Sequence, residues 1–460
     1  MRHSYKDLRQ ENRQLREENR RLHEENQALK RRLSRLEAEL ARLREENEKL
    51  RARIKGDPPP PVKPARRGGK RPGRKPGHPP ANRPLPIQVD EERVLTLDQC
   101  PHCGRELHGP VSERVRYVED ILPPRAHVTR YRIQRYLCPG CGKLVEAKPT
   151  DVLPGHRLGI QLMAHVVCLR EELRLPVNLI QRYLERAGLS VSQGEIERIT
   201  TEVAVGLGPL YRSYREALRC GEAVNIDETG MRVEGENRWL WGGVSKKPAT
   251  VVFQIDRRRS SQVVDELVGE GYSGVVGSDF YPAYNVREGK KQRCWAHLLR
   301  ATRKLGSEEG MALHRELKGM WEEACRWVAE ERDRAPPEEW EERARGWEEE
   351  VVELAQREWT DPNCRRIAKR LGKHRGELFT FVVCPGLEGT NNAAERVLRP
   401  YVVKRKISGG HRSWAGARKH EILMSVLATC GLRGEDFLAT VTGALEAAVA
   451  SARQIVTHFL

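Results

Sequence analysis

The 460-residue chain has no run of about 18 apolar residues, so no segment is built to cross a bilayer as a helix. Its N-terminus lacks the apolar stretch of a secretory signal and is densely charged instead. The cysteines lack the pairing expected of a disulfide framework: there are 11, an odd number, and two pairs of them stand as C-x-x-C. A balance of charge is also missing. With 82 Lys and Arg against 65 Asp and Glu, the formal charge is +17 and the pI near 9.5. That excess calls for a polyanionic partner, nucleic acid before membrane. The expectation is a soluble, cytoplasmic, nucleoid-associated protein with homes for metal-bound thiolates.

Acids are absent from residues 58–89, where 32 residues hold 11 prolines and eight Lys or Arg. Such a stretch cannot form a core and is expected as an extended basic linker, 57–90. Its centre, KRPGRKPGHPP, is similar to short Arg-Pro-Gly hooks that lie in the DNA minor groove, with Arg71, Arg74 and Lys75 as contacts. Non-specific phosphate contact fits it equally. Before it, leucine recurs every seventh residue at Leu8, Leu15, Leu22, Leu29, Leu36, Leu43 and Leu50. The matching positions are Tyr5, Asn12, Asn19, Asn26, Leu33, Leu40, Asn47 and Ile54. Leucine at d with asparagine at a predicts a parallel, in-register coiled-coil homodimer over 1–56. A basic-zipper factor would need a basic helix ahead of the leucines, and the sequence begins almost at the first heptad.

CPHCG places Cys100 and Cys103 together, and CPGCG does the same for Cys138 and Cys141. Four thiolates suit one tetrahedral, structural Zn²⁺ in a module spanning 91–150. RVRYVED and HVTRYRIQRYL alternate like two strands, so a hairpin between the cysteine pairs, as in a zinc ribbon, is expected. Most of the other seven cysteines read as core filler. Residues 151–220 read as helices. LPVNLIQRYLERAG ends on Gly188, and a second helix opens on Ser192 with Glu195 three residues later. That outline fits a DNA-binding helix-turn-helix, and also an ordinary helical hairpin.

The chemistry begins at AVNIDETGMRV, where an apolar run over 223–226 leads to Asp227. Two further strands, a helix and the strand in SGVVGSDFYPAY follow, and the last runs out at Asp279. Three strands, a helix and a strand match the order of a ribonuclease-H-like sheet, in which the first and fourth strands are neighbours. Two carboxylates there can share divalent metal. Far downstream, residues 389–420 hold eight Lys or Arg and one acid, Glu395, on a predicted helix interrupted by Pro400. Glu395 has capping-box spacing from Asn392 and i, i+4 spacing to Arg399, both ordinary structural roles. A third carboxylate in a cationic field is also what two-metal phosphoryl transfer needs, with Arg396, Arg399, Lys404, Arg405 and Lys406 on the DNA backbone. Residues 305–380 read as a helical insertion into a catalytic domain spanning 221–430, and 431–460 as a helical tail.

VNIDETGMRV, GSDFYPAYN, QRCWAHLLR and GTNNAAERVLRP resemble the signature blocks of the bacterial insertion-sequence-sixty-six DDE transposases. The resemblance covers nearly the whole chain. It implies that Asp227, Asp279 and Glu395 bind two Mg²⁺ or Mn²⁺ ions in an integrase-like sheet. It also implies cleavage and strand transfer at the terminal inverted repeats of a mobile element, with accessory proteins from the same element. CWAH, Cys294 to His297, resembles a C-x-x-H element that several transposase lineages carry after the second Asp, with the His near DNA. A buried core His is the alternative. No second pair lies near it in the sequence, so it is not read as a metal site. Two other functions share the zipper, the zinc and the charge: a dimeric zinc-ribbon regulator with an inert C-terminal domain, and another ribonuclease-H-like nuclease.

Overall fold

The computed structural model describes residues 5–54, 86–99, 101–108, 112–119, 124–286 and 288–458. They fall into two units, Met1–Glu119 and Asp120–Leu460. Arg71, Arg74, Lys75 and Cys100 lie outside the described residues.

The first unit opens with α1, an unbroken helix over Tyr5–Ile54. Its heptad leucines from Leu22 to Leu43, with Leu33 and Leu40, are each 50 to 58% exposed. The apolar stripe is therefore present on the surface, with nothing among the described residues covering it. Further on, Gln99 bridges Glu106 and the Leu107 N–H donates to the Asp98 carbonyl at 2.9 Å, closing a turn around Cys103.

The second unit repeats that local device. The short strands β1 (Arg135–Leu137) and β2 (Leu144–Glu146) pair antiparallel around Cys138 and Cys141. Gly104 and Gly142, each following a C-x-x-C, both adopt φ of +70°, which a side chain would disfavour. Among the described residues between the cysteine pairs the expected hairpin does not form, and the small turns close around Cys103 and around Cys138 and Cys141. RVRYVED forms no strand in its described residues, and only the final RYL of HVTRYRIQRYL does. Alternation alone could not tell a strand from extended chain here.

Helices α2 (Ile160–Glu171), α3 (Val177–Arg186), α4 (Gln193–Gly206) and α5 (Gly208–Arg219) follow. Ser192 caps α4 as its spacing predicts, accepting from the Glu195 N–H at 3.1 Å. The apolar face of α4, Ile196, Ile199 and Val203, is fully buried.

Three strands then form an antiparallel meander: β3 (Ala223–Val233), β4 (Glu236–Lys246) and β5 (Ala249–Asp256). After α6 (Ser261–Val268), β6 (Val275–Ser278) returns parallel to β3, and β7 (Lys291–Arg293) lies parallel to β6. The sheet order is β5-β4-β3-β6-β7, so the first and fourth of its strands are neighbours as expected. Next come α7 (Trp295–Thr302), α8 (Glu308–Glu330), α9 (Pro337–Gln356), α10 (Pro362–Lys373) and the short α11 (Thr380–Val383). These helices build a core of their own around Trp295, Leu317, Trp327, Trp347 and Phe379. Burying each large aromatic contributes roughly 2–3 kcal/mol, enough for the insertion to hold its shape.

The chain ends with α12 (Asn392–Ser408), α13 (Trp414–Arg433) and α14 (Phe437–His458). Helix α12 runs through Pro400 as one element. α13 lies along the edge strand β5. Thr429, Ser425 and Glu421, one helical turn apart, accept from the N–H groups of Val251, Phe253 and Ile255. Four residues of helix advance about 6 Å and two residues of strand about 6.6 Å, so the two periods match. Phe437, Val441 and Leu445 of α14 join one core cluster with α2, α4 and the sheet residues Val224 and Ile226. The helices before the sheet and the C-terminal helix therefore share a core with it.

Candidate active site

β6 covers only the start of β3. Their parallel register pairs Asn225 with Gly277, so Asp227 and Asp279 each lie two residues further along adjacent strands. β6 ends at Ser278 and β3 runs on to Val233. Asp227 is thus in the middle of a long strand rather than at its end, level with the point where its neighbour stops. Asp279 also accepts from the Tyr281 N–H at 2.7 Å, the turn-capping contact its sequence position suggests.

Asn391, just before α12, sets the third acid. Its Nδ2 donates to the Ile226 carbonyl at 2.8 Å, and its Oδ1 accepts from Asn225 Nδ2 at 3.2 Å. A Cβ on Gly277 would lie 2.4 Å from that Asn225 Nδ2, so the glycine makes room for the link. The Asn391 N–H donates to Cys294 Sγ at 3.1 Å. This clamp joins the residue before Asp227 to the start of α12, whose first turn carries Glu395. Glu395 takes neither ordinary role open to it. The N-cap of α12 is Asn391 rather than Asn392 and makes no side-chain cap bond, and Glu395 pairs with His297, Nδ1 to Oε1 3.6 Å, not with Arg399.

The electrostatics agree with a convergence of acids. Burial pushes the Asp227 carboxyl up to about 7, and the charges of Glu228, Asp279 and Glu395 each add to the rise. Glu395 Oε1 and His297 Nδ1 are buried without a hydrogen-bond partner among the described residues. Acids held together this way are short of positive charge, and an all-oxygen set of carboxylates suits Mg²⁺ or Mn²⁺. Glu228 differs from its neighbour because successive strand residues face opposite ways. It is gripped by Arg259 at 2.7 Å and by the Tyr284 hydroxyl, and Arg259 stacks 3.7 Å over Tyr281.

Beneath Asp279 sits Arg293, fully buried. It donates to the Asp279 carbonyl at 2.8 Å, to Asn285 at 2.8 Å and to Glu377 at 2.6 Å. Asn391 and Arg293 lie inside sequence blocks singled out above, but nothing in a sequence marks such roles. Of the basic residues expected on DNA, Arg396, Arg399 and Lys406 are exposed on α12. Arg405 is half-buried, with Nη1 3.3 Å from Thr229 Oγ1, on the face of β3 that carries Asp227. Lys404 is a correction: it turns inward, its ammonium pairing with Glu171 of α2, and cannot meet a phosphate there. α4, which would be the recognition helix, carries Glu195, Glu197 and Glu202 against Arg198 alone. Glu197 is paired with Arg170 of α2 and Lys419 of α13, which ties α4 into the fold. On the other side, Arg370 of α10 lies 5.1 Å from the Phe280 ring, next to Asp279.

Comparison with known proteins gives this geometry a class. Residues 155–419, more than half of the chain, match the family described as "Transposase IS66 family". Residues 98–142, which contain all four paired cysteines, match the "zinc-finger binding domain of transposase IS66". The chain belongs to the IS66 transposase family. Among curated proteins it is similar to the uncharacterized protein y4qI of Sinorhizobium fredii, 24% identical over 364 residues. That match covers 69% of this chain and 65% of the relative, just under two thirds of its length. A second uncharacterized protein of that organism, y4hP, is 22% identical over 399 residues, 77% of this chain and 71% of the relative.

Proposed function

We propose that this chain is a transposase that binds the terminal inverted repeats of a mobile element, cuts a strand there, and joins the freed end to target DNA. The observation that carries the reading is that Asp227 on β3 stands level with Asp279, the residue just after β6, while Asn391 ties the start of the helix bearing Glu395 to β3. An inert scaffold gives no reason to bury acids whose charges oppose one another. The five-strand order, with a meander followed by two parallel strands, supports reading the domain as ribonuclease-H-like.

Asp227, Asp279 and Glu395 would hold two Mg²⁺ or Mn²⁺ ions, which supply charge stabilisation for the attacking and leaving oxygens of phosphoryl transfer. The remaining work belongs to the chain. Asp227 gives up its proton to become a ligand. Arg396, Arg399 and Lys406 hold backbone phosphates along α12, and Arg405 fixes that helix to β3 through Thr229. Arg293 locks the end of β6 so that Asp279 cannot drift. The cysteines Cys100, Cys103, Cys138 and Cys141 would hold one structural Zn²⁺, and the linker with Arg71, Arg74 and Lys75 would supply further phosphate contacts.

The exposed leucine stripe of α1 fits a parallel coiled coil with a second copy of this chain, which would bring two DNA ends together. Light scattering on the full chain should read two chains per particle, and replacing Leu29 and Leu36 by Lys should halve that mass. A monomeric wild-type protein would remove the zipper from the proposal. For the chemistry, the full chain is mixed with labelled duplex bearing the element's end, with and without Mg²⁺. A nick at the end that needs the ion, followed by joining to a second duplex, is the expected result. Binding without any cleavage would leave a DNA-binding regulator, and cleavage without joining a plain nuclease.

A further inference from the structure

We propose that Cys294, His297 and Glu395 form a separate soft-metal site that holds one Zn²⁺. In the sequence the C-x-x-H stands alone, because its third donor is 98 residues away. The fold supplies that donor. One ligand atom from each of the three lies within 4.8 Å of the others. Cys294 is the N-cap of α7 and His297 lies in its first turn, so i, i+3 spacing puts both side chains on one face. Glu395 enters from the first turn of α12, and the Asn391 clamp that positions it also ties Asn391 to Cys294.

Two observations point to a missing cation rather than to a packed core. His297 Nδ1 and Glu395 Oε1 sit 3.6 Å apart, both buried, and neither makes a hydrogen bond among the described residues. Leaving two such groups unsatisfied costs about 1–3 kcal/mol each, which one ion would offset. The sulfur, for its part, accepts the Asn391 N–H at 3.1 Å. That is the contact a metal-bound thiolate needs to spread its charge.

The donor set decides which ion. A thiolate and an imidazole are soft or borderline ligands that select Zn²⁺, whereas Mg²⁺ takes oxygen alone. Sulfur, nitrogen and one carboxylate oxygen leave a fourth tetrahedral position for water. Glu395 has a second oxygen for the hard ions shared with Asp227 and Asp279. The zinc would thus fix the orientation of the acid that completes the triad. The site is distinct from the four paired cysteines and needs no DNA, so it does not rest on the strand-transfer reading.

The test counts zinc. Full-length wild-type protein, Cys294→Ser, His297→Gln and the control Cys384→Ser are passed through metal-free buffer, and zinc per chain is measured by mass spectrometry. Wild type and control should carry one zinc per chain more than Cys294→Ser and His297→Gln. Equal zinc in wild type and His297→Gln, with folding confirmed by circular dichroism, overturns the proposal. Should Cys294→Ser fail to fold, His297→Gln decides the question alone, because its side chain is 31% exposed and tolerates change. Cleavage of DNA by wild type with Mg²⁺ is read separately, so either reading can fail without the other.

Discussion

Helix α12 touches two ionic sites that follow opposite rules. Near its start, Glu395 adds its charge to those of Glu228 and Asp279 around Asp227, whose carboxyl burial pushes up to about 7. Nine residues on, Lys404 meets Glu171 and His420 in a closed cluster. Burial alone would raise the Glu171 carboxyl, but Lys404 and His420 outweigh it and hold it well below the usual range. Every charge in the second site has its counter-charge inside the protein. In the first, burial and like charges dominate around Asp227, and that deficit suits it to recruit ions and phosphates. A buried acid that is fully paired serves the fold, and one left short of positive charge serves a ligand.

The comparison breaks most visibly by neutralising the first site. Asp227→Asn, Asp279→Asn or Glu395→Gln should each lower end cleavage on the order of a thousandfold or more, with DNA affinity nearly unchanged in a gel-shift titration. Retention of full strand transfer would take that residue out of the triad. Neutralising the second site should do the reverse. Lys404→Met takes the ammonium partner from buried Glu171 and leaves it only His420 and the longer contact to Arg170, so denaturant unfolding should show a loss approaching about 3–5 kcal/mol. A loss under about 1 kcal/mol would mean that the pair is open to water.

The smallest effect is the most diagnostic, because the two sites tilt stability in opposite directions with pH. Burial, with His420 and Lys404 nearby, pulls His411 down to about 3, and burial with Lys404 pulls His420 down to about 4. Both stay neutral in the fold, where the unfolded chain takes up protons near pH 6.5. Their contribution is complete above pH 6.5 and is lost as pH falls toward 4. Asp227 has the opposite sign. Its carboxyl is raised, so its contribution is present below about pH 4 and is lost as pH rises through 7. In metal-free protein at pH 8, Asp227→Asn should therefore be more stable than wild type by ~2 kcal/mol, and Mg²⁺ should narrow the gap. At pH 5, His420→Gln should narrow the acid loss instead. Parallel pH curves for wild type and Asp227→Asn would deny that the three acids meet.

Glu395 stands out in the sequence because a lone acid among eight cations has no purpose on a surface that only attracts DNA. Asp227 and Asp279 stand out because apolar runs end at them. What could not be read is where polar residues continue a strand. Asp-Glu-Thr-Gly after Ile226 looks like a strand end, yet β4 pairs with that whole stretch and carries β3 on to Val233. β7 is Lys-Gln-Arg, three polar residues that are strand only because β6 lies beside them. Lys404 illustrates the same gap. It stands in a run of basic residues with nothing to mark it as inward-facing, and only Glu171, 233 positions earlier, settles its direction. The apolar positions of α14 gave a helix but not a partner, since that partner is α2, on the far side of the sheet in sequence.

The row of Thr429, Ser425 and Glu421 along β5 reaches beyond stability. Exposed strand edges are where proteins zip onto one another, and here one margin is stoppered by a helix. The opposite margin is sealed as well, since Glu377, Leu378 and Phe381 engage the backbone and side chains of Arg293 and Gln292. With both borders engaged among the described residues, extension of this sheet into a second copy is disfavoured.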